Sequence, residues 1–193
     1  CAAPTHTATS PYASALRIAS VAFGCALTAA AAQFTAPLPF TAVPLVLTPM
    51  AVLLTGAALG ARLGAAAQVA YLLAGILGMQ VFAPSVVLPP GAARLFGPTG
   101  GFLMAYPVAA FVTGWLAERG WDRRYWTSVL AMAAGLAVIF VGGAVWHAAT
   151  VTHSLATTVV TSVVPFAGAD LAKLLIVAAV LPQAWRVLGR DAQ

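Results

Sequence analysis

The chain has 193 residues, 62% of them hydrophobic and only 7% charged, with a mean hydropathy of +0.96. Soluble globular domains carry about 25% charged residues, so the composition excludes a water-soluble fold and leaves an integral membrane protein of one domain, residues 1–193. Nine basic residues against four acidic ones give a net charge of +5; scattered singly through apolar sequence, they speak for membrane topology and against nucleic-acid binding.

A helix crossing the hydrocarbon core needs about 20 apolar residues. After a flexible lead over residues 1–13, the first such span is predicted at 14–33. Cys1 stands where an initiator Met is expected and reads as the start of a trimmed chain. Cys25 lies inside the first span, where a small buried hydrophobe is expected. Pro37, Pro39 and Pro44 then break the chain. A second span is predicted at 45–59, a tight turn around Arg62 at 60–64, and a third span at 65–79. The Pro/Gly-rich connection "APSVVLPPGAARLFGPTGG" leads to a fourth span at 101–117, which the charged loop "ERGWDRR" ends. A fifth span is predicted at 125–145. A Thr/Ser-rich, partly helical connection at 146–167 precedes the sixth, at 169–188, which Pro182 should bend. The expected fold is therefore all-α, with six transmembrane helices and long outer connections between helices three and four and between five and six.

The basic residues sort onto this scheme. Arg17, Arg62, Arg119, Arg123, Arg124, Arg186 and Arg190 all fall on one side of the membrane. By the positive-inside rule that side is cytoplasmic, with both termini on it. Arg94 and Lys173 fall on the outer side, together with Asp170, the one acid embedded in apolar sequence.

Charges at membrane depth are costly and mark sites. Asp170 and Lys173, three apart in "PFAGADLAK", share one helix face. A carboxylate accepts N–H donors and an ammonium donates to a carbonyl, so together they suit a cyclic urea or amide. The bland alternative is an Asp capping a helix start, neutralised by Lys173. In "GPTGG", Gly97, Thr99, Gly100 and Gly101 precede the fourth span. Glycines admit close backbone approach, and a helix N-terminus offers N–H groups to an anion. Arg94 just upstream adds a grip on a carboxylate. The bland reading there is a turn and a helix start. His147 and His153 fit no helical metal-binding face. Trp121, Trp126 and Trp146 sit at span ends as interface anchors, and Trp146 is also a candidate pocket wall. Span one carries Ala15, Ala19, Ala22, Ala26 and Ala30, small residues that permit close helix contact in lipid. Neither a nucleotide-binding loop nor a nucleophile–base pairing is visible in the sequence.

The stretches "PLPFTAVPLVLTPMAVLLTGAALGARLGAAAQVAYLLAGILGMQVFA", "FGPTGGFLMAYPVAAFVTGWLAER" and "PFAGADLAK" resemble the BioY family, the biotin-specific substrate-binding (S) components of energy-coupling-factor (ECF) transporters. The resemblance covers nearly the whole chain. The family has Pro-Gly directly before its Asp, whereas this chain has Gly168 and Ala169. The resemblance implies high-affinity binding and uptake of biotin from outside by a multi-pass protein of the cytoplasmic membrane. It implies a binding component and no enzyme, with biotin as ligand and no cofactor or metal. The implied partners are a transmembrane coupling subunit and two ATPase subunits. The ureido ring would meet Asp170 and Lys173, and the valerate carboxylate Arg94 and the GPTGG backbone. Tyr71, Phe82, Phe102 and Tyr106 are candidate walls for the rings and chain. Ala22 and Ala26 match the position of the family's docking face. Two other readings stay open, an S component for a different vitamin and a membrane-embedded enzyme using His147 and His153. A purely structural bundle would leave the outer charges unexplained.

Overall fold

The computed structural model describes residues 11–36, 45–84, 88–89 and 91–187. Cys1, Pro37, Pro39, Pro44, Arg190 and Asp191 lie outside these residues, as does the predicted flexible lead up to residue 10. Residues 11–13 are already helical, in α1 (Pro11–Gln33). A two-residue strand β1 (Thr35–Ala36) pairs antiparallel with β2 (Leu45–Val46), Thr35 opposite Val46, so a short clasp brackets the proline-rich stretch. Then come α2 (Thr48–Leu59), α3 (Ala61–Ile76), α4 (Ala93–Phe96), α5 (Gly100–Leu116) and α6 (Tyr125–His147). The chain continues as α7 (Leu155–Thr158), α8 (Val164–Val177) and α9 (Val180–Val187). Among the described residues the regular structure is all helical apart from the clasp.

Among the described residues, four helical stretches are long and apolar enough to cross a membrane: Tyr12–Gln33, Gly100–Trp121, Tyr125–Thr152 and Val164–Ala184. α2 and α3 are shorter, at 12 and 16 residues. At 1.5 Å per residue they rise about 18 and 24 Å, against a hydrocarbon core of about 30 Å. α2 compensates by burial, since most of its side chains face the bundle interior and not its surface.

Several boundaries differ from the sequence reading by two to five residues, α2 starting at Thr48 and α3 ending at Ile76 among them, and three differences have a visible cause. The turn predicted at 60–64 contracts to Gly60 alone, whose φ of 83° favours glycine, and α3 starts four residues early at Ala61. Glu118, at the far end of α5, makes so short a turn possible. Its Oε1 accepts the Ala61 N–H at 2.9 Å, satisfying a donor that a helix start leaves open. The connection predicted at 146–167 is helical almost throughout. Wide π-type turns at Ala148–Thr152 and Val159–Val163 flank α7, and the interruption is His153, at φ 52°, with the extended Ser154 after it. α8 therefore begins at Val164 instead of residue 169. The bend assigned to Pro182 appears upstream of it, between α8 and α9, where Ala179 N–H turns to the Ile176 carbonyl at 3.2 Å. Proline cannot donate to the carbonyl four residues back, and its ring crowds it, so the break falls at Ala178.

α5 forms the centre, packed most extensively on α6 and then on α3 and α2, while α1 lies against α3 and α2. Glycines bring these backbones together. A Cβ on Gly64 would lie 2.7 Å from Gly56 Cα, one on Gly114 would lie 2.5 Å from Ala61 N, and one on Gly56 would collide with the Ala110 carbonyl. α8 packs on α2 and α6, with Phe166 and Leu174 buried. Its Asp170 and Lys173 thereby come close to the start of α2.

Candidate ligand-binding site

Asp170 is only 6% exposed and is the seventh residue of α8, well beyond the first turn where a capping side chain acts. The geometry excludes the cap reading. Lys173 Nζ lies 2.9 Å from Asp170 Oδ1 and donates as well to the Val46 carbonyl at 3.1 Å, fastening α8 to β2. A buried carboxylate is tolerable only when paired in this way.

Tyr106 of α5 is buried within electrostatic reach of Asp170 and hydrogen-bonds the side chain of Thr48, at the head of α2. Tyr71 of α3 is fully buried, its ring 6.4 Å from that of Tyr106 and edge-on to Phe82 at 5.4 Å. Ala83, next in the chain, accepts Arg94 Nη2 at 2.6 Å. Arg94 sits in α4, and burial lowers its pKa from the ordinary value; guanidinium stays protonated regardless. Arg94, Tyr71, Tyr106 and the Asp170–Lys173 pair thus form one row running from α4 through α3 and α5 to α8. Sites up to 102 residues apart along the chain, Tyr71 and Lys173 being the farthest, are brought together by helix packing alone.

The GPTGG glycines are engaged in packing. A Cβ on Gly100 would strike the Leu95 carbonyl, and one on Gly101 would lie 2.5 Å from the Gly142 carbonyl and clash with Trp146. The Gly97 carbonyl accepts Trp146 Nε1 at 3.0 Å, and the Pro98 carbonyl lies 3.2 Å from His147 Nδ1. Since a carbonyl only accepts, His147 carries its proton on Nδ1 there. Thr99 is the residue preceding α5, with no side-chain cap bond. Phe102 is partly buried against Gly143. His147 is buried while His153 is exposed, and the described residues contain no group of three or more His, Cys, Asp or Glu able to hold a metal. Ala22 and Ala26 are exposed on α1, on the side opposite its buried stripe of Gly24, Thr28 and Ala32.

The BioY family model matches residues 5–190. The chain belongs to the BioY family. It is 36% identical over 159 residues to the probable biotin transporter BioY of Pyrococcus horikoshii, covering 82% of this chain and 90% of that one. To the biotin transporter BioY of Thermotoga maritima it is 34% identical over 141 residues, 73% of this chain and 80% of that one. Its fold is similar to the crystal structure of the S component for biotin from an ECF-type ABC transporter, with a TM-score of 0.81 and 21% identity over 93% of this chain and 95% of that one. Gly168 borders open space, and α8 runs through Gly168 and Ala169 unbroken.

Sequence reasoning missed the groups that hold the row in place, namely the Val46 and Ala83 carbonyls and Thr48. Main-chain acceptors leave no trace in residue type. Thr48 carries a weak signal, as a hydroxyl directly before Pro49 at a helix start.

Proposed function

We infer that this chain is the biotin-binding S component of an ECF-type transporter and takes up biotin across the cytoplasmic membrane. It binds and hands over its ligand and is no enzyme. The observation that carries the reading is the Asp170–Lys173 pair, buried in mid-helix with no capping work to do, in a chain of the BioY family. Asp170 accepts the ureido N–H groups through Oδ2, the oxygen away from the Lys173 bond. Lys173 donates to the ureido carbonyl, and Arg94 takes the valerate carboxylate. Tyr71 and Tyr106 line the space between, and Gly97, Thr99, Gly100 and Gly101 shape its outer wall. The topology is six spans with both termini cytoplasmic, made by α1, α2, α3, α5, α6 and α8 with α9. A coupling transmembrane subunit and two ATPases supply the energy, with Ala22 and Ala26 facing the former.

Calorimetry of biotin against the purified chain is the direct test. Charge-assisted hydrogen bonds contribute about 1.5–3 kcal/mol each, so Asp170→Asn should weaken biotin by roughly ten- to a hundredfold. Arg94→Ala should weaken biotin while scarcely affecting an uncharged biotin amide. Normal biotin binding by a folded Asp170→Asn protein would move the site elsewhere.

A further inference from the structure

Two buried donors near the Arg94 end of the row have no partner among the described residues. The Tyr71 hydroxyl is one, on a side chain with 0% exposure, and Arg94 Nε is the other. They flank the same piece of chain. The Tyr71 ring stands edge-on to Phe82, and Arg94 spends Nη2 on the carbonyl of the next residue, Ala83. Each also feels the other electrostatically. Buried polar groups are nearly always satisfied, and an exception calls for an explanation. A phenol O–H and a guanidinium N–H ask for the same thing, an acceptor, and the fixed charge of Arg94 makes an anion the favoured one.

We propose that the Tyr71 hydroxyl and Arg94 Nε–H together form a two-donor seat for the ligand's carboxylate, which makes Tyr71 a specificity residue and not only an apolar wall. The seat rests on the transport reading above and deepens it. Arg94 supplies both a charge and, at Nε–H, a donor fixed in place, which a lysine would not reproduce. Tyr71 supplies a neutral donor whose burial keeps water from competing, so a ligand lacking a terminal acceptor gains nothing from it.

The test separates this role from packing because the two predict opposite signs. Removing an unpartnered buried hydroxyl relieves the ligand-free protein of a group it cannot satisfy. Tyr71→Phe should therefore leave the ligand-free melting temperature unchanged or raised, and should still weaken biotin about tenfold. A biotin analogue whose carboxylate is replaced by a methyl group should bind the variant and the parent alike. Arg94→Lys keeps the charge but moves the donors, and should likewise weaken biotin while sparing the analogue. In the double variant the two losses should be less than multiplicative, since both groups hold one carboxylate. Tyr71→Phe binding biotin as the parent does would overturn the seat, and so would equal losses for biotin and the methyl analogue. A parent chain that binds no biotin at all would sink the transport reading, and this inference with it. A trapped water as the sole partner of both donors would show as unchanged biotin affinity in both single variants, which also overturns the seat.

Discussion

At the scale of single residues, Lys173 has two hydrogen-bond partners and Asp170 has one among the described residues. Lys173 bridges Asp170 and the Val46 carbonyl. Removing either charge strands the other in a largely buried place, and breaking such a pair costs about 3–5 kcal/mol when burial is complete. With Lys173 18% exposed at its side chain, a loss of about 1–3 kcal/mol is the better expectation. Replacing both charges with neutral groups of similar shape removes the stranded charge. Asp170→Asn and Lys173→Gln should each lower the melting temperature, and the double variant should regain most of that loss. Biotin affinity should stay lowered in all three. A double variant that regains both stability and binding would make the pair purely architectural. The sequence made this pair visible, as the one acid in apolar surroundings with a base three residues on. Its burial and the Val46 anchor became visible only once α8 was placed against β2.

At the scale of elements, the apolar runs were legible because lipid demands length and hydrophobicity, and both can be read along a chain. The boundaries were less so. Gly60 ends one helix and the next starts at Ala61 because Glu118, 57 residues away, supplies the missing acceptor. No local signal announces such a partner. Replacing Glu118 with Ala should cost about 0.5–1 kcal/mol through the lost contact at the α3 start, seen as a lower melting temperature with biotin affinity kept. The Thr/Ser-rich stretch before α8 read as a connection because its residues favour turns and caps. In the structure their hydroxyls bond back to carbonyls one turn away, as Thr150 does to Trp146 and Thr161 to Thr157, which leaves the helix nearly continuous. Gly64 reads in the sequence as part of a turn, and Gly56 and Gly114 carry no signal at all, yet all three are contact points. Gly56→Ala would push its methyl into the Ala110 carbonyl. Backbone cannot swing aside as a side chain can, so a loss of about 1–3 kcal/mol is expected. Gly168→Ala, which meets nothing within 4 Å, serves as the control and should change stability little.

At the scale of the whole molecule, the fold gives α1 two unlike faces. Gly24, Thr28 and Ala32 are buried against the bundle, where Gln68 Nε2 donates to Thr28 Oγ1 at 3.0 Å and a Cβ on Gly24 would come within 2.6 Å of Thr55. The other face, with Ala22, Ala26 and Phe23, is exposed. The close approach within the bundle therefore uses the stripe at 24, 28 and 32, and the alanines at 22 and 26 are not needed for it. Small residues on an outward face allow a second helix to approach closely in lipid, and that is the surface assigned to the coupling subunit. The ligand row lies along α4, α3, α5 and α8, none of whose site residues belongs to α1. Bulk added at Ala22 or Ala26 should therefore act on assembly alone. Ala22→Leu and Ala26→Leu should leave the melting temperature and biotin affinity of the isolated chain unchanged. Both should abolish co-purification with the coupling subunit, and biotin uptake by cells with it. Equal loss of biotin binding would place these residues in the bundle's own packing. Normal uptake by both variants would move the docking surface off α1.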